Sequence, residues 1–557
     1  MFQPVLDPLG ESLAWSALAA TMPLIVFFVL LGVVRLAAHW SALAALATSL
    51  IVAVAVYEMP SGQALGSAAE GAVFGLFPIM WIVVNALWIY QMTVDTGHFE
   101  VLRRSFSRLS DDQRLQAVIV AFCFGALLEA LAGFGAPVAI SSVMLIALGF
   151  RPFKAATVAL VANTAPVAFG AMGTPVITLA QITGLPLEDI SSTVGRQTPV
   201  LAAIVPVLLV FLVDGRRGVK ETWLPALSCG LAFALAQFAC SNYVSVELTD
   251  VVAALAAVGV LVLVMRVTGT GVPAGKGRGL QPPPVIAGGS EDADPALVER
   301  ARATAEAQDR PGAAVKAYLP YVVIIVVFAL AQLGPVKSLL EHGSVEFSWP
   351  GLDVADPVSG EPSGAMVFKF NWLPATGTLL LLSGVITAAL LSVRPSVAVR
   401  AYGRTLHQLR WAILTVAAVL ALAYVMNLSG QTATIGHWIA GAGSGLAFLS
   451  PVLGWLGVAV SGSDTSANAL FGTLQVTAAK SSGLSPELLA SANSSGGVLG
   501  KMLSPQNLAI AAAATGLGGR EAEILRKVVG WSLALLLVMC VLVWLQSTPV
   551  LGWMVPG

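Results

Sequence analysis

Long apolar segments separated by short polar ones dominate the chain. A helix that crosses a lipid bilayer needs about 20 mostly apolar residues. Segments close to this length predict spanning helices at residues 13–34, 40–57, 71–93, 196–213, 222–241, 250–266, 318–335, 372–393, 411–428 and 528–546. The pattern therefore predicts an all-α polytopic membrane protein.

Two further apolar regions, 116–183 and 437–516, are interrupted by glycine, proline, asparagine and serine. Irregular backbone at membrane depth is tolerated only where it is buried in protein or lines a water-filled cavity. We interpret each region as a re-entrant helical hairpin followed by a broken transmembrane helix. The hairpin tips are expected at residues 133–137 and 461–466.

The two halves of the chain share a spaced pattern of residues. Five positions recur with an offset of 330: Ala162, Asn163, Gly170, Met172 and Pro175 reappear as Ala492, Asn493, Gly500, Met502 and Pro505. Cytoplasmic loops collect lysine and arginine. Basic clusters follow equivalent elements on opposite sides in the two halves, and the acidic run 341–361 should lie outside. The sequence therefore predicts inverted-topology repeats, which are typical of secondary transporters.

These patterns divide the chain into four parts. Residues 1–214 form the first transmembrane repeat and residues 316–557 form the second. Residues 215–267 supply the connecting transmembrane helices. Residues 268–315 are rich in glycine, proline and charge, and this composition predicts a disordered cytoplasmic linker.

Composition supports lipid as the surrounding solvent and excludes several function classes. Charged residues make up 11% of the chain, whereas soluble domains carry roughly 25%. The formal net charge of −1 gives no field that would attract nucleic acid. The four cysteines lack metal-ligand spacing, and the chain has no nucleotide-binding loop and no nucleophile or paired-aspartate motif. We therefore expect no enzyme activity, no cofactor and no bound metal.

The interrupted regions also hold the candidate chemistry, because half-helix N-termini near the membrane midplane can bind anions. A carboxylate within the membrane is costly and usually functional. Glu129 and Asp464 are therefore predicted to carry the coupled proton. Lys501 is predicted to anchor a carboxylate or to act as counter-ion to one of these acids. The structural alternatives are that Glu129 only pairs with Lys501 or Arg151, and that Asp464 belongs only to a helix cap.

The other predicted substrate-binding residues are glycines and small polar residues of the same regions. They are Asn163, Thr164, Gly133, Gly135, Gly170, Ser463, Thr465, Asn493, Ser494, Ser495 and Ser504. Asn163 and Asn493 are interpreted as equivalent helix breaks whose amides contact a carboxylate or hydroxyl group. The alternative is that these amides only satisfy backbone groups freed by the breaks.

Four sequence runs resemble the bacterial L-lactate permease family, which also includes glycolate permeases. They are EALAGFGAP at 129–137, ANTAP with GAMGTP at 162–175, SGSDTSANALFG at 461–472 and ANSSGGVLGKMLSPQ at 492–506. The resemblance covers nearly the whole chain except 268–315. It implies proton-coupled uptake of L-lactate, D-lactate and glycolate across the inner membrane.

The residues alone indicate only a secondary transporter of a small anion. The alternative to proton coupling is a sodium-coupled organic-anion transporter, in which carbonyl groups of the breaks with Asn163, Asn493 and Asp464 would hold the cation. A channel for small anions is a third class. The hairpin architecture further suggests elevator-style movement within a homodimer.

Overall fold

The computed structural model describes residues 1–133, 135–270, 312–355, 357 and 360–556. In the first half the helices are α1 Leu13–Phe28, α2 Ala38–Ala55, α3 Ser61–Phe74, α4 Trp81–Asp95, α5 His98–Ser107, α6 Gln113–Ala117, α7 Gly125–Ala132, α8 Ala136–Ala147, α9 Pro152–Ala162, α10 Gly170–Thr183, α11 Leu187–Ala202, α12 Val205–Tyr243 and α13 Thr249–Thr268.

The second half has ten helices and two short strands among the described residues. They are α14 Ala313–Ala331, α15 Gly334–Glu341, β1 Ser344–Ser348, β2 Val367–Asn371, α16 Thr376–Leu390, α17 Pro395–Leu428, α18 Gln431–Ile439, α19 Gly445–Ser461, α20 Asp464–Ser482, α21 Pro486–Gly500, α22 Pro505–Ala514 and α23 Glu521–Gln546.

The prediction of a polytopic helical membrane protein is confirmed. Within the described residues, eight helices are long and apolar enough to cross a membrane, or up to ten if each of two bent pairs is one span. Several helices extend beyond the apolar segments. For example, α17 begins at Pro395, well before the predicted span 411–428. Apolarity marks only the part of a helix that contacts lipid, so a charged first turn is invisible to it.

Each interrupted region contains a helical hairpin, as predicted. In hairpin 1 (residues 113–147), Gln113 Nε2 donates to the Leu148 carbonyl oxygen at 2.9 Å and Ser141 Oγ donates to the Val120 carbonyl oxygen at 3.2 Å. These paired contacts show that its arms run antiparallel. The first arm, Gln113–Ala132, is 20 residues long. Within this arm, a π-helical stretch at Val118–Phe124 joins α6 to α7.

Hairpin 2 (residues 445–482) turns at Gly462, which has a φ of 77°. Ser450 Oγ donates to Gln475 Oε1 at 3.0 Å across its two arms. Its tip lies within the predicted range 461–466.

Each hairpin is followed by a broken helix, but the second break differs from the prediction. Broken helix 1 bends by 63° between α9 and the segment Val167–Thr183. Broken helix 2 is interrupted at Lys501–Leu503, where a 3-10 turn separates α21 from α22. Asn493 therefore lies inside α21 rather than at a break, and the prediction that it matches the Asn163 break is wrong. Helical backbone runs through Asn493 from Pro486 to Gly500.

Hairpins and broken helices pack reciprocally between the two halves. At the tip of hairpin 1, a Cβ on Gly135 would lie 2.3 Å from Ile510 of α22. In hairpin 2, Asn468 Nδ2 donates to the Pro175 carbonyl oxygen of α10 at 3.1 Å. This exchange of contacts is expected for halves related by a pseudo-two-fold axis. The opposite membrane orientation of the halves and the four-part division stay predictions.

Two regions lie outside these elements. The strands β1 and β2 pair antiparallel, with Ser344 opposite Asn371. They frame the acidic segment predicted to lie outside, and the sequence analysis did not predict them. The predicted linker 268–315 falls outside the described residues except at its two ends, where α13 ends at Thr268 and α14 begins at Ala313.

A close helix contact gives a stability prediction. A Cβ on Gly454 of α19 would lie 1.8 Å from the Asn493 carbonyl oxygen of α21, whereas a Cβ on Gly530 of α23 would meet no atom within 4 Å. We expect Gly454→Val to lower the free energy of unfolding by about 1–3 kcal/mol or more, because overpacking forces the helices apart. Gly530→Val is the matched control and should stay close to the parent. Thermal unfolding in detergent measures both, and equal effects would contradict the packing.

Candidate functional site

A cavity of about 480 Å³ lies where the hairpin tips meet the broken helices. Much of its wall is apolar, and α1, α4 and α17 contribute to it through Phe27, Val83 and Trp411. The predicted site residues that line it are Glu129, Gly133, Gly170, Ser463, Asp464, Thr465 and Lys501. The structure therefore brings residues of both halves to one site.

An ion pair between the two halves crosses this cavity. Lys501 Nζ lies 2.5 Å from Glu129 Oε1, and the two side chains are only 8% and 3% exposed. Asn163 Nδ2 donates to the other carboxylate oxygen, Glu129 Oε2, at 2.9 Å. The sequence left Lys501 and Arg151 as alternative partners of Glu129, and the structure places Lys501 in that position.

The helix break fixes the position of Lys501. Its carbonyl oxygen accepts hydrogen bonds from Ser504 Oγ and Asn507 Nδ2, both at 3.0 Å. Ser504 Oγ also accepts a hydrogen bond from the backbone N–H of Asn507 at 3.3 Å, and Ser504 therefore caps α22. A Cβ on Gly500 would lie 2.3 Å from the Trp455 carbonyl oxygen. The break is thus held by its own polar residues and packs closely on α19.

Two glycines make room for the Glu129 carboxylate. A Cβ on Gly133 would lie 3.2 Å from Glu129 Oε1, and one on Gly170 would lie 3.0 Å from it. The next residues, Ala171 and Met172, have φ angles of 44° and 57°. Non-glycine residues rarely adopt this left-handed region, and such strain often occurs at functional sites. The first break therefore supplies both space and an irregular wall.

Asp464 occupies the first turn of α20 beside the cavity. Its Oδ2 atom accepts hydrogen bonds from Ser494 Oγ at 2.7 Å and Asn468 Nδ2 at 3.5 Å. Its buried Oδ1 atom has no hydrogen-bond partner among the described residues. The helix is capped instead by Ser463, whose Oγ accepts from the Ser466 amide at 3.2 Å. Capping is therefore the role of Ser463, and it does not account for Asp464.

The other predicted residues lie outside the cavity wall. Thr164 donates to the Val161 carbonyl oxygen at 2.7 Å, which satisfies the end of α9. Asn493 Nδ2 donates to Asn468 Oδ1 at 2.9 Å. Ser495 is fully buried. These residues, with Gly135, Ser494 and Ser504, support the structure around the site and do not line the cavity.

Several polar residues near the cavity were not predicted from the sequence. Arg35, His39 and Gln506 line it. The His39 ring stacks on Trp411, with centroids 4.4 Å apart. Arg35 lies between α1 and α2, where a basic residue can face a cavity. Asp250, which the sequence did not single out, is also fully buried, although it does not line the cavity.

Lys501 can bind a small carboxylate in this cavity. When no such anion is bound, Glu129 compensates the charge of Lys501. The two carboxylates compete for Lys501, the buried cation of the cavity, and two negative charges would repel each other in a low-dielectric environment.

The ion pair gives a second stability prediction. We expect Lys501→Met to cost about 3–5 kcal/mol, because it leaves Glu129 buried without a cation. The double variant Lys501→Met with Glu129→Gln should recover part of that loss, since the unpaired charge is gone. Unfolding midpoints in detergent for the parent, the two single variants and the double variant give the interaction energy between Lys501 and Glu129. Strictly additive effects would show that the pair does not form.

Comparison with known proteins shows which family the chain belongs to. The L-lactate permease family model matches residues 16–550. The chain is 41% identical to the L-lactate permease of Bacillus subtilis, over 99% of both chains. It is 40% identical to the glycolate permease of Escherichia coli, over 98% of both chains. Among solved structures it is similar to the Alcanivorax borkumensis YdaH transporter, with 14% identity, a TM-score of 0.45 and 88% of each chain covered. Its family and its apolar helices make this chain a multi-pass bacterial membrane transport protein, and it belongs to the L-lactate permease family.

Proposed function

We propose that the protein takes up L-lactate and related small 2-hydroxy monocarboxylates, D-lactate and glycolate, together with protons across the bacterial inner membrane. The observation that carries this proposal is the Lys501–Glu129 ion pair inside the cavity. The names of its relatives, L-lactate permease and glycolate permease, support the substrate class.

The coupling follows from charge balance at Lys501. A substrate carboxylate can replace Glu129 beside this lysine only if Glu129 becomes neutral, because one cation cannot compensate two buried carboxylates. Glu129 becomes neutral by taking up a proton. Substrate and proton therefore bind together, and the complex carries no additional charge through the low-dielectric interior.

The hydroxyl group of the substrate needs its own partners. Ser463 and Thr465 line the cavity close in sequence to Asp464, and their side chains can donate and accept hydrogen bonds. We assign the 2-hydroxyl group to them and the carboxylate to Lys501. Asn163 holds Glu129 in place for the exchange. Gly133 and Gly170 contribute by leaving space beside the Glu129 carboxylate, because neither has a side chain.

Asp464 is the second candidate for the coupled proton. It is buried in hairpin 2, and its Oδ1 atom lacks a hydrogen-bond partner among the described residues. The same feature supports the sodium-coupled alternative, because an unpartnered carboxylate oxygen can ligate a cation. Movement of the hairpins within a homodimer also remains part of the proposal. Size measurement in detergent tests the dimer.

Uptake into proteoliposomes tests the coupling. With the outside about one pH unit more acidic than the inside, symport of one proton with each lactate should raise the internal lactate concentration to about ten times the external one. Empty liposomes control for diffusion of lactic acid, and an uncoupler should abolish the accumulation. Accumulation that needs sodium and ignores the pH gradient would replace the proposal with the sodium-coupled alternative.

Glu129→Gln separates substrate binding from proton coupling. We expect lactate exchange to continue, because Lys501 is still present, while accumulation driven by the pH gradient is lost. Glu188→Gln, on the exposed start of α11, is the matched control and should behave like the parent. Intact accumulation in Glu129→Gln would exclude Glu129 as the proton carrier. Asp464→Asn would then be measured in the same assay.

A further inference from the structure

A second buried carboxyl group lies outside the cavity, at Asp250 in the first turn of α13. Its side chain is fully buried, and its Oδ2 atom has no hydrogen-bond partner among the described residues. Its Oδ1 atom accepts one long bond, 3.5 Å, from Gln237 Nε2. No side chain caps α13, so a role as helix cap does not explain Asp250.

Asp250 also lacks a salt bridge to any cation in the part of the chain that the structure describes. A buried carboxylate without a cationic partner is unfavourable and becomes neutral by binding a proton. Glu129 is in the opposite situation, since it is paired with Lys501. The two acids therefore differ in whether a cation lies beside the carboxyl group.

Gln237 of α12 connects Asp250 to the first helix break. The same Nε2 atom donates to the Ala165 carbonyl oxygen at 3.3 Å. Ala165 lies two residues after Asn163, whose amide donates to Glu129 at 2.9 Å. Gln237 therefore contacts both Asp250 and the backbone of the helix break whose Asn163 contacts Glu129.

We propose that Asp250 is a second proton-carrying residue, which exchanges a proton with Glu129 during transport. The inference rests on the proposed proton symport and adds a residue to it. In the transfer, the O–H bond of Asp250 breaks, an O–H bond forms on Glu129, and Asp250 is left as a carboxylate until water returns a proton to it. The amides of Asn163 and Gln237 position the groups and do not carry the proton, which crosses between the carboxyl groups through water.

Asp250 is a proton relay in this proposal and does not touch the substrate. It is not among the residues that line the cavity. Removing its carboxyl group should therefore leave substrate binding and exchange intact, because exchange needs no net proton movement. Only net transport coupled to protons should depend on it.

The test compares two assays on the full-length protein in proteoliposomes. In Asp250→Asn we expect lactate exchange at the parent rate, whereas accumulation under a gradient of about one pH unit should fall from about tenfold to none. Asp250→Glu should restore accumulation, because it returns a carboxyl group. Parallel loss of exchange and accumulation would show a merely structural role and overturn the proposal, as would full accumulation in Asp250→Asn.

Glu70→Gln is the matched control. Glu70 is also fully buried, and neither of its carboxylate oxygens has a partner among the described residues, but it does not line the cavity. It should keep both activities. A selective loss of accumulation in this control would also overturn the proposal, because any buried acid would then produce the effect.

If Asp250→Asn does not fold, Gln237→Leu decides the question. It keeps the Asp250 carboxyl group and removes the amide that joins it to the helix break, so accumulation should slow while exchange continues. Unchanged accumulation would overturn the proposal. A parent protein without any proton-driven accumulation would instead refute the proposed symport, and the two failures are therefore distinguishable.

Discussion

The buried ion pair between Lys501 and Glu129 is the interaction on which the site depends. Moving a lysine out of water costs several kcal/mol unless an anion and good geometry compensate it. Glu129 comes from hairpin 1 and Lys501 from broken helix 2, 372 positions later in the chain. The pair therefore holds the two halves together at the cavity. The glycines around Glu129 and the polar residues around Lys501 make the required close approach possible.

Among the described residues, Lys501 is the only buried lysine, and Glu129 is its partner. A substrate carboxylate that binds Lys501 therefore has to replace Glu129. When a substrate carboxylate takes the place of Glu129, the net charge beside Lys501 is unchanged if Glu129 is protonated. The apolar remainder of the cavity wall strengthens this constraint, because charges interact more strongly where water is excluded. In the proposed function, proton coupling follows from this charge balance at Lys501.

The sequence predicted the membrane class, both hairpins and the residues of the central ion pair, because each leaves a local signal. Long apolar segments indicate spanning helices, and a glycine beside a single charged residue within such a segment indicates an interrupted helix. The position of Asn493 inside α21 was not predictable from the repeat, because small residues permit either a break or a continuous helix. Arg35 and Asp250 were missed for another reason. Their importance depends on which distant helices cover them, and that information is not local in the sequence.

The most direct test of the account is proton uptake on binding, measured by titrating the purified protein with L-lactate in a calorimeter. Buffers with different ionisation enthalpies report the number of protons taken up with each lactate. The account predicts about one proton per lactate for the parent and none for Glu129→Gln. Lactate binding by the parent without proton uptake would contradict the exchange at Lys501 and, with it, the proposed coupling.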